Sequence, residues 1–433
     1  MEKSPSILNV KAKEDVDPSE DLKQNTINES FHQAVGPALF FGQFFGMLPV
    51  DGILSRKEED LKFRWRSPRT IYSVFFLFCG SIETAVATRR LVRLGFNIHF
   101  AEAFLFYITA MVRSFFIFQM GMKWNLIIKK WRELENVFLY EPYKLIKGWK
   151  LSTQIRVVFG FLMTLVIVEH LFFLVKAIED NRLQITHCTP KSMDFWQNYL
   201  WRYRPHLIYN FPYSPFELPL YEWVNFLQAM SWSYSDIFII VLAIGIKFRF
   251  NQFNQYFRVV SDDVNLMSED IFRTLRVDYY KLIELVHFID SKVATLILMS
   301  LGHNMLVLII KIFSALVPNR YHYLDDIYFW FYLIFLITRI FATLIACASI
   351  HDTARHTVFY IRKIPSDFWT IDLKRLFDTI SVESETLTFS GQNYFYVTKN
   401  MILTLAGTII TYELVLLDRV KEDSANMCSI IDY

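Results

Sequence analysis

Seven stretches of this chain are apolar over lengths that match the hydrocarbon core of a bilayer: 71–88, 100–120, 155–178, 218–246, 293–317, 327–350 and 401–417. A core about 30 Å thick is crossed by about 20 apolar residues in a helix rising 1.5 Å per residue. Within lipid each backbone N–H and C=O must find its partner inside the segment, which makes an α-helix the conformation for every stretch. The pattern predicts an all-α fold, a seven-transmembrane-helix bundle. At 53% hydrophobic and 17% aromatic residues, the 433-residue chain reads as a multi-span membrane protein. A further apolar stretch, 34–50, is broken by Gly36, Pro37, Gly42, Gly46 and Pro49 and reads as interfacial or re-entrant.

Orientation follows from the positive-inside rule. The first thirty residues are polar with no signal-peptide core, which leaves the N-terminus in the cytoplasm. Segments on that side then hold 31 Lys and Arg, the opposite side holds 11, and Arg113, Lys311 and Arg339 lie within spans. Arg89, Arg90 and Arg93 are a local exception. Seven spans put the C-terminus outside. The expected organisation is a cytoplasmic tail with its interfacial segment (1–69), helices one to four (70–246), and a cytoplasmic linker with helix extensions (247–292). Helices five and six (293–350), a second cytoplasmic segment (351–400), the last helix (401–417) and an extracellular tail (418–433) follow. The sequon at Asn28 falls in the cytoplasm, where it stays unmodified. Cys79 and Cys347 lie within spans as packing residues, while Cys188 and Cys428 both fall on the oxidising side and are predicted to pair.

Ionisable groups are costly inside a membrane and face a cavity or a partner. Helical spacing gathers them into stripes: Glu102, Thr109 and Arg113 on the second span; Asn225, Gln228, Trp232 and Asp236 on the fourth; Ser300, Asn304 and Lys311 on the fifth; Tyr328, Tyr332 and Arg339 on the sixth. The third span adds Glu169 and His170. Most of these positions fall in halves read as outer. Amides, carboxylates and guanidiniums interleaved with aromatic rings suit an uncharged polyol, whose hydroxyls need donors and acceptors while its C–H faces stack on rings. The competing reading is that the same groups pair across the bundle, Asp236 with Arg339 for instance, and hold helices in register. His170 and His303 have no second ligand at metal spacing, so no metal is expected.

On the last span Thr404, Thr408, Thr411, Val415 and Asp418 form a narrow seam of hydroxyls, an apolar position and a carboxylate. Around a symmetry axis such a seam would line a pore, with Val415 as a dewetting gate and Asp418 as a ring attracting permeant cations. Threonines bonding their own backbone and Asp418 capping a helix end give the simpler account. Phosphate-binding, dinucleotide, zinc-protease and nucleophile-elbow motifs are absent, so neither catalysis nor a cofactor is expected. Basic residues are dispersed between apolar blocks and form no nucleic-acid patch.

Several runs resemble the sugar-receptor branch of the insect gustatory receptors. Ala406-Gly407-Thr408 with Thr411-Tyr412-Glu413-Leu414-Val415-Leu416-Leu417 is similar to the superfamily's signature in the seventh helix. Phe31-His32, Met47-Leu48-Pro49-Val50, Glu169-His170, Phe211-Pro212-Tyr213-Ser214-Pro215, Trp232-Ser233-Tyr234 with Asp236-Ile237-Phe238, and Tyr328-Phe329-Trp330 resemble the sugar branch. The resemblance covers nearly the whole chain from Phe31 onward. It implies the insect chemoreceptor ion-channel fold: a plasma-membrane, ligand-gated, non-selective cation channel of four subunits, identical or related, in sensory neuron dendrites. A mono- or disaccharide would bind between helices two and six, and the seventh helices, with Tyr412 among their signature residues, would line the pore amid membrane lipid. The family pattern continues with Gln-Phe where this chain has Asp418-Arg419. A metabotropic seven-helix receptor and a sugar transporter are the alternatives.

Overall fold

The computed structural model of the protein describes residues 29–95, 98–143, 148–187, 194–316, 323–383 and 386–417. Over these the chain is helical, with two isolated antiparallel bridges, Asp51 to Lys62 and Ser390 to Tyr396, in place of strands. The long helices are α2 (Pro68–Leu94), α3 (Ile98–Met122), α5 (Leu151–His187), α8 (Leu218–Asp262), α9 (Glu269–Leu316) and α10 (Tyr323–Ile361). Shorter ones are α1 (Phe31–Gln43), α4 (Trp124–Glu135), α6 (Phe195–Tyr203), α7 (Pro205–Asn210), α11 (Ile371–Glu383) and α12 (Lys399–Leu417). Over its described residues each of the seven apolar stretches lies on one of these helices. Six helices among the described residues are long and apolar enough to cross a membrane.

Three helices outrun their apolar cores. At 45, 48 and 39 residues, α8, α9 and α10 are roughly 60–70 Å long at 1.5 Å per residue, about twice a bilayer core. The surplus collects at one end, where α8 runs on to Asp262, α9 starts at Glu269 and α10 ends at Ile361. Against it pack two amphipathic helices. On α4, Trp124, Ile127, Ile128, Trp131 and Leu134 are buried at helical spacing; on α11, Leu373, Leu376 and Ile380 are.

Helix α8 is the axis of the bundle, with 83% of its most apolar window buried, against 22% for the peripheral α5. Small residues let α1 lie directly on α8. A Cβ on Gly42 would stand 2.2 Å from the Tyr234 ring, and one on Gly245 would stand 2.6 Å from Phe31. Phe31 fills the groove at Gly245 and stacks on Trp131 at 3.8 Å. Thirteen residues give α1 a length of about 20 Å, short of a bilayer core.

Candidate functional site: a buried polar cluster between four helices

Four helices bring side chains to one point near the midpoints of the stretches 100–120, 218–246, 293–317 and 327–350, deeper than the outer halves where most stripe residues were expected. Asp236 on α8 is fully enclosed, and Arg339 of α10 stands with Nε 3.1 Å from its Oδ2. Arg113 of α3, also fully enclosed, has Nη1 3.7 Å from Oδ1. From α9, Asn304 Nδ2 donates to Oδ2 at 2.8 Å and Ser300 Oγ donates to Oδ1. One carboxylate thus serves two guanidiniums at contact distance, at the depth where burying charge costs most.

The guanidiniums spend their other donors on the walls. Arg113 donates to the carbonyls of Trp232, Met299 and Ser300 at 3.1–3.3 Å and to Ser235 Oγ at 3.4 Å. Arg339 donates from Nη1 to Ser233 Oγ at 2.7 Å and from Nη2 to Asn304 Oδ1 at 3.3 Å. Its guanidinium lies 4.3 Å from the centre of the Trp232 ring, a cation–π contact strengthened by exclusion of water. Trp232 Nε1 in turn donates to Asn304 Oδ1 at 2.8 Å. Aromatic face, amide, carboxylate and guanidinium therefore meet within one cluster.

Toward the α10 N-terminus, Tyr328 OH donates to Glu169 Oε1 of α5 at 2.8 Å, with the Tyr332 ring 6.0 Å from that of Tyr328. Beside Tyr332 lies Lys311, which pairs with Glu102 at 2.6 Å. Three predicted site residues stand apart from these contacts. Trp330 is 50% exposed, on the side of α10 away from Tyr328 and Tyr332. His170 packs against Phe226 at 5.0 Å. The fully buried Gln228 amide has no protein partner and lies toward Gly80 of α2.

Sequence stripes missed Ser233 and Ser235. Ser233 adjoins Trp232 in sequence but points off its face and reaches Arg339 because α8 is surrounded, whereas Ser235, three positions on from Trp232, continues the stripe itself. His303 is buried beside Asn304, with Nδ1 3.1 Å from Thr109 Oγ1 and its ring edge-on to Trp232 at 4.9 Å.

The last helix, α12, holds Thr404, Thr408 and Thr411 on an exposed face, each hydroxyl donating to the carbonyl four residues back. That is the backbone bonding of the simpler account, and it leaves the hydroxyl oxygens outward as acceptors. Tyr412 and Val415 belong to the same helix. Asp418, Cys188 and Cys428, and with them the predicted disulfide, lie outside the described residues. Lys399 at the start of α12 pairs with Asp352 of α10 at 2.6 Å, beside a cleft of about 280 Å³ lined by Lys247, Ile345 and Ile402.

A bundle of long apolar helices enclosing a polar, aromatic-walled cluster defines a multi-pass membrane protein. The chain superposes on the insect olfactory receptor OR5 from Machilis hrabei in complex with eugenol with a TM-score of 0.63 over 90% of this chain and 97% of that one, at 13% identity, a likeness of fold. The family model described as trehalose receptor matches residues 11–428. The chain is 31% identical over 396 residues to gustatory receptor for sugar taste 64b of Drosophila melanogaster, covering 92% of this chain and 96% of that one. It is 27% identical over 403 residues to that organism's gustatory receptor 5a for trehalose, covering 92% and 87%. The chain belongs to the trehalose-receptor family, the sugar-receptor branch of the insect gustatory receptors. This is a family of receptors rather than enzymes.

Proposed function

We propose that the protein is a sugar-gated, non-selective cation channel of the plasma membrane of sensory dendrites. It is built from four copies, or from copies with related subunits, and α12 lines the central pore. Seven helices span in this reading, and the lysine and arginine count supports an N-terminus in the cytoplasm. The observation that carries the reading is the mid-bundle cluster of Arg113, Trp232, Asp236, Asn304 and Arg339, whose chemistry matches a neutral polyol and whose cost in lipid demands a use. Relatives named for sugar taste and for trehalose support the same ligand class. Glu169, Tyr328 and Tyr332 form the way in from outside, and His170, Gln228 and Trp330 stand apart from it.

Sugar shifts gating only by binding the open arrangement more tightly than the closed one. Helix α10 is the natural carrier, because Arg339 contacts the cluster and Asp352, further along the same helix, holds the start of α12 through Lys399. Motion of α10 is thereby passed to Thr408, Thr411, Tyr412 and Val415, with Asp418 as the outer carboxylate ring and a Cys188–Cys428 disulfide tying the external segments.

Whole-cell recording from cells expressing this chain alone, across mono- and disaccharides, tests the reading: a sugar-evoked cation current is expected. An N-terminal epitope reached by antibody on unpermeabilised cells would instead point to a metabotropic receptor. Uptake of labelled sugar without current would point to a transporter.

A further inference from the structure

His303 of α9 carries a determinate tautomer. Thr109 Oγ1 has a single hydrogen, and its shortest contact is with the Leu105 carbonyl, 2.6 Å away. That bond uses the hydroxyl hydrogen, so across the 3.1 Å contact with His303 Nδ1 the imidazole must be the donor. With its proton on Nδ1, His303 presents Nε2 as a bare acceptor. That atom is enclosed, on a residue only 4% exposed, and has no protein partner. Enclosed acceptors of this kind are costly unless a donor reaches them.

What the Nε2 atom adjoins decides which donor. The His303 ring stands edge-on to Trp232 at 4.9 Å, Trp232 donates to Asn304, and Arg339 covers the Trp232 face at 4.3 Å. Every other polar member of this wall is either a cation or a side chain already bonded within the cluster. Guanidiniums, the Trp232 N–H and the Asn304 NH₂ are all donors; they can recognise sugar oxygens as acceptors but cannot receive a hydroxyl hydrogen.

We propose that His303 is a specificity-determining residue of the sugar site, its Nε2 accepting the hydrogen of one sugar hydroxyl. This rests on the sugar-receptor reading of the same cluster. Thr109 is then a positioning residue, fixing which nitrogen carries the proton. Because Nε2 is closed off here, the ligand reaches it as the wall around Trp232 opens, so the bond forms only in the liganded arrangement and contributes to gating. The site reads a donor: a deoxy sugar and an O-methyl sugar, which keeps the oxygen and loses the hydrogen, are rejected alike at one ring position.

The test is a coupling experiment on the full chain in whole-cell recording. Trehalose, sucrose and maltose are compared first, then mono-deoxy and mono-O-methyl derivatives of the one that responds best. In the unmodified protein, one position is expected to raise the half-maximal concentration about tenfold for both derivatives, which corresponds to about 1.4 kcal/mol. His303→Phe is expected to cost the parent sugar about tenfold and to erase the penalty at that position. His303→Gln, whose amide oxygen restores an acceptor, is expected to recover at least part of the discrimination; surface labelling is measured for each variant. Penalties that multiply, with each derivative losing the same factor with and without His303, would overturn the proposal and leave a buried water as the partner of Nε2. Thr109→Val provides the second readout, weakening the parent sugar while preserving the position at which derivatives are rejected; a shift of that position to another hydroxyl counts against it. If no sugar evokes current from surface-expressed protein, the sugar-channel reading itself fails, a result distinct from current without coupling.

Discussion

Among the described residues two Arg–carboxylate sites are buried on both sides, and they are finished to different degrees. At the end where α8 and α9 overrun their apolar cores, Glu135 of α4 accepts from Arg249 Nε and Nη2 at 3.1 and 2.8 Å, from Trp131 Nε1 at 3.2 Å and from the Phe31 N–H at 3.1 Å. Arg249 donates twice more, to Gln252 and to the Glu29 carbonyl, both at 2.7 Å, and Gln252 continues to the carbonyls of Phe138 and Tyr143. None of these charged or amide groups has an enclosed atom without a partner. Around Asp236 the accounting does not close. Arg113 Nε and His303 Nε2 lack partners, and Arg339 Nε, though 3.1 Å from Asp236, makes no aligned hydrogen bond. A fully satisfied network fixes a single arrangement, whereas a partly satisfied one stays high in energy until something completes it. The first site is built as a clasp holding α1, α4 and α8 together; the second is the one proposed to receive a sugar.

The largest effect that would break this contrast lies at the clasp. Glu135→Ala strands the Arg249 guanidinium and the Phe31 and Trp131 N–H groups in a dry interior, a loss of about 3–5 kcal/mol. Purified protein is expected to melt far lower or not to accumulate at the cell surface. Unchanged melting would mean that the clasp is not structural. Asp236→Asn is expected to cost somewhat less, about 3 kcal/mol, because the amide fills the same space and keeps an acceptor for one of Ser300 and Asn304, which bond different oxygens, while two guanidiniums lose their counter-charge. The second change Arg339→Gln removes one of those cations. The double variant is therefore expected to melt higher than Asp236→Asn alone, and additive losses would refute the shared-carboxylate account.

Arg339→Gln by itself separates holding from receiving. Arg113 and Asp236 remain as a charge-neutral pair, so surface expression within about twofold of the unmodified protein is expected. The half-maximal sugar concentration is expected to rise at least tenfold, the value of about one charge-assisted hydrogen bond. A lost fold with no change in the sensitivity of the surviving channels would return this cluster to the register-holding role weighed from sequence.

How much of this was legible in the chain depends on how many neighbours a helix has. Stripe spacing placed Thr109 with Arg113, Trp232 with Asp236 and Ser300 with Asn304 on shared faces, and the structure joins those faces. Spacing assumes one polar face per helix. Helix α8 is enclosed on all sides, so Ser233, off the Trp232–Asp236 stripe, also meets Arg339, while Ser235, seven positions from Gln228 and so on that stripe, meets Arg113. Trp330 shows the opposite failure: a motif match placed it beside Tyr328, yet two positions along a helix is most of the way to the opposite face. The clasp was missed because Glu135 sits in a segment read only as cytoplasmic. The buried spacing of Trp124, Ile127, Ile128, Trp131 and Leu134 carried the signal for α4, but Arg249 lies 114 positions from Glu135, and no local pattern reports so distant a partner.

The smallest effect sharpens the contrast from a third place, the loop helix α7, which packs on α2 and α3. His206 stands 3.4 Å from Glu83 Oε1, with the Tyr107 ring 4.9 Å away and Arg204 and Arg90 also acting on it. Burial pushes the His206 imidazole below its ordinary value of 6.5, outweighing the attraction of Glu83. A histidine held neutral in the fold binds fewer protons than the unfolded chain just below pH 6.5. Stability is therefore complete above that pH and falls as acidity increases, by at most about 1.4 kcal/mol per pH unit for one proton. Melting measured from pH 7.5 down to 5 is expected to decline more in the unmodified protein than in His206→Asn, which keeps a donor for Glu83 and does not titrate. A steeper decline in the variant, or melting that rises on acidification, would mean that the Glu83 carboxylate overrides burial. This site would then behave like the clasp, a completed ion pair, rather than like a neutral group enclosed at a cost.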